Sequence, residues 1–288
     1  MPKFQLHPQA HVGAVHLTVA DLDRAHSFYE GFLGFTALKR QEGIIALSAG
    51  DSPARILLTE HRGARPRPPH TTGLYHVAIR LPQRVDLGRA LLHLSRARYP
   101  LQGAADHLVN ESLYLTDPDG HGLEFYADRP REQWVWQDGQ VQMDTAPLDV
   151  DSLVHIAEQD RRPWSGVPNG TGIGHVHLQV HDLEETEAFY GKLLGLEVTL
   201  RFSSGALFFA AGGYHHHIGA NTWAGRGNPP PPDAVGLRHL ALVVPDQAAY
   251  QQITDRIKGS DVLWEEQSAG LFFRDPSQNG VLLALTSP

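Results

Sequence analysis

The chain of 288 residues carries 18 histidines and no cysteine. The missing cysteine excludes disulfides, thiolate metal sites and a cysteine nucleophile, so imidazole ligands and imidazole proton carriers become the first candidates for chemistry. Glu124 is also unusual because it lies between Leu123 and Phe125. A carboxylate in such an apolar strand is costly to bury unless it is paired or bound to a metal. For Glu124 the alternative is a salt bridge to a nearby arginine.

An internal repeat indicates which elements position these residues. The windows VHLTVADLDRAHSFYEGFLGF, from Val15, and VHLQVHDLEETEAFYGKLLGL, from Val176, match at ten of 21 positions without a gap. Each window opens with the alternating apolar residues of a strand and continues at helical spacing after an aspartate. Asp21 and Asp182 are therefore predicted to be helix N-caps.

The same order of a strand, a helix and about three strands recurs along the chain. It predicts four units, near residues 11–60, 74–127, 173–222 and 236–286. We expect an N-terminal domain at 1–128, an interdomain connection at 129–172 and a C-terminal domain at 173–288, with two units in each domain. The tryptophans of the connection are expected to be packing anchors, since large aromatic side chains chiefly supply buried area.

The candidate residues hold equivalent positions in these units. His76, His175 and His239 lie in the first strands of the second, third and fourth units. Glu124 lies in the last strand of the second unit, where the fourth unit has Leu282. A carboxylate in one copy and a leucine in the other is the asymmetry expected of a single active site.

Several classes of function lose support from the sequence. The net charge of -8 argues against binding of nucleic acid, which needs a surplus of lysine and arginine. The motifs of nucleophilic hydrolases, P-loop proteins and dinucleotide-binding proteins are absent. Since the sequence shows neither an apolar run of membrane-spanning length nor a signal peptide, we expect a cytoplasmic protein without membrane contact.

Three motifs together resemble the vicinal-oxygen-chelate superfamily, which includes glyoxalases, bleomycin-resistance proteins and extradiol dioxygenases. They are the VHLTVADL-FY-LG pattern, the strand LYHVAI and the run LYLTDPDGHGLEFYADRP. The resemblance covers almost the whole chain. It implies an α+β fold, in which four βαβββ units form two cup-shaped mixed β-sheets with the helices outside.

A narrower resemblance concerns the reaction. His107, Tyr114, the turn at 117–120 and Glu124 resemble the extradiol ring-cleavage signature, apart from Ala105, where Gly, Asn or a β-branched residue is usual. The segments GGYHHHIG and NTWAGR are similar to the bacterial catechol-2,3-dioxygenase branch. This resemblance implies a metal-dependent dioxygenase that cleaves a catechol-type aromatic substrate with O2. Fe(II) is the expected metal, with Mn(II), Zn(II) or Ni(II) as alternatives.

In this superfamily two facing units form the metal-binding cup. Pairing units two and three implies the ligands His76, Glu124 and His175, a two-histidine, one-carboxylate set that leaves open positions on Fe(II). Pairing units one and two would instead imply His16, His76 and Glu124. His16 and His177 are otherwise interpreted as core histidines with satisfied hydrogen bonds, and His239 as a remnant of duplication.

The resemblance also implies the other site residues. His107 and Tyr114 would hydrogen-bond the substrate oxygen. Strand alternation favours His217 over His216 as the residue that faces the cup and carries a proton. The alternative functions are a glyoxalase-like isomerase or lyase and a non-enzymatic protein that binds an aromatic ligand, and a homo-oligomer is left open.

Overall fold

The fold is that of a computed structural model, and the residues described are 4–50, 52–203 and 205–286. The first unit comprises β1 (His11–Val19), α1 (Leu22–His26) with a π-helical extension (Ser27–Phe32), β2 (Thr36–Gln41), β3 (Ile44–Ser48) and β4 (Ile56–Glu60). The second comprises β5 (Gly73–Arg80), α2 (Arg84–Arg96), β6 (Gly103–Asp106), β7 (Asn110–Thr116) and β8 (Gly122–Asp128).

The connection contains a 3-10 turn (Arg131–Gln133), the hairpin β9 (Trp136–Gln137) and β10 (Gln140–Val141), and α3 (Val150–Asp160). The third unit comprises β11 (Gly172–Gln179), α4 (Leu183–Thr186) with a π-helical extension (Glu187–Leu193), β12 (Glu197–Phe202), β13 (Ala206–Ala210) and β14 (Ile218–Asn221). The fourth comprises β15 (Gly236–Val244), α5 (Gln247–Lys258), β16 (Trp264–Gln267), β17 (Gly270–Arg274) and β18 (Gly280–Leu285).

Strand pairing joins the second unit to the third and the first unit to the fourth. Within the described ranges, one eight-stranded sheet has the order β12-β13-β14-β11-β5-β8-β7-β6, here called the inner sheet. The other has the order β16-β17-β18-β15-β1-β4-β3-β2 and is called the outer sheet. In the inner sheet, β5 and β11 are antiparallel, and each lies parallel to the last strand of its own unit. The predicted mixed sheets are confirmed, and units one and two do not share a sheet.

Local sequence explains where the helices begin. A carboxylate oxygen of Asp21 accepts a hydrogen bond from the backbone N–H of Arg24 at 2.9 Å, and Asp182 accepts from Glu184 at 2.8 Å. Both predicted N-caps are confirmed, and each satisfies amide groups that the first helical turn leaves without a partner. No helix in the part of the chain that the structure describes is long and apolar enough to cross a membrane.

The Phe-Tyr pair of the repeat links each helix to the unit that follows it. The hydroxyl of buried Tyr29 donates to Oδ2 of Asp117 at 3.0 Å, and Tyr190 donates to Oδ2 of Asp275 at 3.1 Å. Both aspartates begin an Asp-Pro turn. The repeated tyrosine therefore joins the first unit to the second and the third unit to the fourth.

Candidate metal centre and active site

The centre of the inner sheet brings His76, Glu124 and His175 together. Ala78 of β5 pairs with Glu124 on one side and with His175 on the other. His76 lies two residues from Ala78, so alternation puts it on the same face. A bulge precedes His175, at Gly174, where a Cβ atom would lie 1.6 Å from the hydroxyl oxygen of Tyr126. Glycine at this position therefore leaves room for the Tyr126 side chain.

The three side chains converge on one point. Oε2 of Glu124 lies 2.9 Å from Nε2 of His76 and 3.0 Å from Nε2 of His175, and the two Nε2 atoms are 3.4 Å apart. With metal–ligand distances of about 2.1 Å, two ligands at right angles are about 3.0 Å apart. The observed triangle fits three neighbouring positions around a divalent cation.

Burial and charge also fit a cation. The three residues are at most 7% exposed. Burial alone would raise the pKa of Glu124, but the facing rings of His175 and His76 hold it well below its ordinary value. Burial lowers the pKa of His175 to about 4, against the opposing effect of Glu124. Near neutral pH the set therefore contains a buried carboxylate, and a buried carboxylate is paired with a cation or coordinates a metal.

Other contacts orient the carboxylate and leave one histidine nitrogen unpaired. The Ser112 hydroxyl donates to Oε1 of Glu124 at 2.5 Å, which leaves Oε2 for the histidines. Metal-binding histidines usually donate their second N–H to a partner. Nδ1 of His175 is buried and has no hydrogen-bond partner among the described residues, so its ring is held by packing. Its ring centroid lies 4.0 Å from that of His216 and 5.2 Å from that of Tyr126.

A cavity of about 420 Å³ opens above the three residues. Its wall is largely aromatic and apolar, and includes Tyr75, Leu115, Leu123, Met143, Leu200, Phe202, Phe208 and Trp223. This size is within the range of small-molecule sites, about 300–1,000 Å³, and such sites combine an apolar wall with a few convergent polar groups.

His107 and Tyr114 lie on the cavity wall and contact each other. Nδ1 of His107 donates to the carbonyl oxygen of Asp144 at 2.7 Å. In the neutral ring Nε2 is then an acceptor, and the Tyr114 hydroxyl, 2.7 Å away, donates to it. Burial and the charge of Glu124 raise the pKa of Tyr114 well above its ordinary value, so the phenol keeps its proton.

His216, and not His217, reaches the cavity wall. The irregular chain before β14 accounts for this difference, because alternation counted back from Ile218 does not hold outside the strand. The His217 ring stacks on Tyr214, and its Nδ1 accepts from the backbone N–H of Ala211 at 3.3 Å. The expectation that His217 faces the cup is therefore wrong.

A chain of hydrogen bonds lies behind His216. Nε2 of His215 donates to Oδ1 of Asp128 at 2.9 Å, because a carboxylate can only accept. In the neutral ring, Nδ1 of His215 accepts from Nδ1–H of His216 at 2.8 Å. His216 consequently keeps a lone pair on Nε2. Burial lowers the pKa of His216 well below its ordinary value, which favours this neutral form.

The site contains residues that the sequence did not indicate. His177 lines the cavity, and its buried Nε2 has no hydrogen-bond partner within the described ranges, so it is not the satisfied core histidine that we expected. Met143, Asp144 and Thr145 of the connection also line the cavity. In the sequence these three follow a short, weakly patterned hairpin. The bridge between Asp106 and Ala146 and the hydrogen bond from His107 to Asp144 hold them at the site.

His16 lies outside this site. It belongs to the outer sheet, where its Nε2 is 2.6 Å from the Thr59 hydroxyl and its ring centroid is 4.9 Å from that of His239. The alternative set of His16, His76 and Glu124 is therefore not assembled.

Comparison with known proteins identifies the superfamily of the chain. The family model described as Glyoxalase/Bleomycin resistance protein/Dioxygenase superfamily matches residues 9–125 and 172–283. The chain belongs to this superfamily. It is 40% identical over 275 residues to a Bacillus subtilis (strain 168) protein named catechol-2,3-dioxygenase, and the match covers 94% of this chain and 95% of the relative.

Solved structures agree on the fold. A Bacillus subtilis structure provisionally described as a dioxygenase has a TM-score of 0.67 at 14% identity, with 100% of this chain and 87% of that chain covered. Glyoxalase I from Zea mays has a TM-score of 0.58 at 16% identity, with 96% and 92% covered. At these identities the structures support the architecture alone.

Proposed function

We propose that the protein is an extradiol dioxygenase of the catechol-2,3-dioxygenase type, with Fe(II) bound by His76, Glu124 and His175. The observation that carries the proposal is the convergence of two imidazole nitrogens and one carboxylate oxygen on the floor of a cavity with an aromatic wall. The Bacillus subtilis relative that shares 40% identity is named catechol-2,3-dioxygenase. When bound, the metal would bring the catechol and O2 together and lower the pKa of the catechol hydroxyl.

Protein groups would hold the substrate and move its protons. In the arrangement described, both ring nitrogens of His107 are used, by Asp144 and by Tyr114. The Tyr114 hydroxyl oxygen, which borders the space above the ligands, would accept a hydrogen bond from a catechol hydroxyl, and His107 would orient it. Nε2 of His216 is the base that can accept a catechol proton, which makes His216 the proton carrier in place of His217. Asp128, through His215, keeps the acceptor nitrogen of His216 available.

The reaction balances with O2 as the only co-substrate. Catechol and O2 give a ring-opened hydroxymuconic semialdehyde. The carbon–carbon bond next to the diol breaks, and both oxygen atoms enter the product. The apolar wall would limit the access of water to the reacting carbon atoms.

Anaerobic loading with Fe(II), followed by catechol and air, tests the proposal. We expect a yellow product and one O2 consumed per catechol, and we expect little turnover with the metal-free protein. Absence of ring cleavage with several catechols, combined with isomerisation of a hemithioacetal by the Zn(II) or Ni(II) form, would instead identify a glyoxalase-like enzyme. Failure to bind any metal would favour a non-enzymatic ligand-binding protein.

A further inference from the structure

The two sheets differ in how their edge strands are covered. In the inner sheet, Ala146 of the connection exchanges two backbone hydrogen bonds of 2.9 Å with Asp106 of the edge strand β6. At the other edge, the backbone N–H of Arg201 in β12 donates to the Gln140 side chain at 2.8 Å. In the outer sheet, β2 and β16 are the edges, and within the described ranges each pairs with a strand on one side only. An unpaired edge is a template for association with another chain.

Exposed apolar side chains mark both edges of the outer sheet. We call these edges the β2 rim and the β16 rim, and each has two apolar side chains and one charge. The β2 rim consists of Leu38, Lys39 and Ile44, and the β16 rim of Leu263, Trp264 and Glu265. Leu263 is 90% exposed and Leu38 is 51% exposed. Single exposed leucines are ordinary on a protein surface, but apolar groups gathered at two unpaired edges are typical of an interaction site.

The charges of the two rims are opposite and unpaired. The neighbouring Arg40 and Glu266 form ion pairs inside the chain. Lys39 and Glu265, in contrast, form no ion pair with any residue that the structure describes. Charges on an edge strand usually keep edges apart. Here they repel only like rims, because a β2 rim against a β16 rim brings a lysine to a glutamate.

Other charges near the rims do not reverse these signs. Glu42, in the turn after β2, interacts with Arg62, which offsets its charge. Asp261 and Arg274 carry opposite charges and border the same cavity beside the β16 rim. The lysine and the glutamate therefore set the sign of their rims.

Lys39 and Glu265 also lie on the same side of the outer sheet. Lys39 follows a bulge in β2 as Leu200 follows a bulge in β12, and Glu265 holds the register in β16 that Gly103 holds in β6. Leu200 and Gly103 both line the cavity of the inner sheet. This equivalence places Lys39 and Glu265 on the concave side of the outer sheet, at its two opposite edges.

We infer that the outer sheet forms the interface of a two-fold symmetric dimer, in which the β2 rim of each copy lies against the β16 rim of the other. The partner that fits is a second copy of this chain, because it carries both complementary rims at the spacing of the first. Two-fold symmetry repeats the contact, so the open edges of both copies are covered and no third copy can add. Each contact buries apolar side chains and pairs Lys39 of one copy with Glu265 of the other.

Sedimentation velocity of the full chain at concentrations from about 1 to 100 µM tests the assembly. We expect a dimer that does not grow into larger species as the concentration rises. A chain that stays monomeric over the whole range would overturn the inference. A series of larger oligomers would overturn it as well, because a contact that closes on itself stops at two copies.

Charge reversal tests which rims meet. K39E and E265K should each raise the dimer dissociation constant at least tenfold at low ionic strength, since each change acts at both contacts. The double variant K39E/E265K should return the constant to within threefold of the wild type. An equimolar mixture of the two single variants should also form a dimer, because each contact then joins one acidic and one basic side chain. If neither the double variant nor the mixture restores the dimer, the two rims do not meet.

An apolar substitution with a matched control tests the remaining contact. L263D should weaken the dimer at least tenfold and leave the circular dichroism spectrum unchanged, because the side chain is almost fully exposed. V135D is the control, since Val135 is 62% exposed but lies in the connection, outside both rims. A dimer that is insensitive to L263D, or equally sensitive to V135D, would place the interface elsewhere and contradict the inference.

Discussion

Nδ1 of His216 lies 2.8 Å from Nδ1 of His215, and this contact determines which nitrogen of His216 can accept a proton. His215 is in turn oriented by Asp128, which also accepts a hydrogen bond from the Tyr214 hydroxyl at 2.9 Å. The proposed proton carrier thus depends on the carboxylate of Asp128, which is separated from His216 by one imidazole ring, that of His215.

Replacement of His216 should therefore remove acid–base catalysis without removing the metal. We expect H216F to lower kcat by about 10²–10⁴-fold, the usual contribution of such a group, and to retain Fe(II). D128N should lower kcat by about tenfold or more, because an amide can donate to His215 and stabilise the other tautomer. Single-turnover kinetics and metal analysis provide the measurements. H217F is the control, and a greater loss of kcat in H217F than in H216F would contradict this assignment.

Glu124 should be required for metal affinity. E124Q removes the charge of the ligand set, so we expect its Fe(II) content after gel filtration to fall below about a tenth of that of the wild type. S112A, which loses the hydrogen bond to Oε1, should bind the metal about 10–100-fold more weakly. Chelator competition measures both effects.

Glu111 provides the matched control for Glu124. It is also buried, but it is paired with Arg84 and lies 3.5 Å from Arg129. E111Q should therefore keep its metal while losing stability. Equal metal loss in E111Q and E124Q would indicate a general loss of folding instead of the loss of a ligand.

The outer sheet should make stability depend on pH through His16 and His239. Burial, together with the nearby His239 and Arg238, lowers the pKa of His16 to about 3, and burial with Arg238 and Arg274 lowers that of His239 to about 4. The unfolded chain, with histidine pKa values near 6.5, therefore binds more protons than the folded chain below that pH. The contribution of these two histidines to the free energy of unfolding should be fully present above pH 6.5 and should be lost progressively as the pH drops towards 4.

Urea unfolding of the metal-free protein at pH 7, 5.5 and 4.5 measures this dependence. H239F should make the decrease smaller by removing one proton-binding group. An identical pH dependence in H239F and the wild type would show that His239 does not contribute.

The tyrosine of each repeat should stabilise the junction between neighbouring units. Y29F removes a donor from buried Asp117, and Y190F removes one from buried Asp275. We expect each change to lower the free energy of unfolding by about 1–2 kcal/mol, the cost of a lost hydrogen bond to a buried carboxylate. Thermal and urea unfolding should show this loss with metal affinity unchanged. A changed metal affinity in Y29F would mean that the junction also supports the site.

The sequence predicted the fold well because its repeat carries the signals of each element. Asp21 and Asp182 act as predicted, and the apolar face of α2 is buried at Leu87, Leu91 and Leu94. These features depend on local periodicity and capping, which a single sequence displays. The assignment of the strands to sheets depended on the family resemblance, which left open two ways of pairing the units.

The site was predicted less completely for physical reasons. His76, Glu124 and His175 lie in regular strands, so register alone brings them together. His216 lies in an irregular segment, where alternation gives the wrong face. Asp144 reaches the cavity through a connection without strong periodicity, and no local pattern reveals such a long-range contact.

The order of the units along the chain has a consequence for synthesis. The inner sheet uses one continuous stretch of sequence, from Gly73 to Asn221, whereas the outer sheet joins β1 to β15 and is completed by β18. All strands that carry the candidate ligands are therefore translated before β15 to β18 of the outer sheet. The outer sheet can be completed only after β18 has been translated, and β1 can pair with β15 only after residues 236–244 have been made.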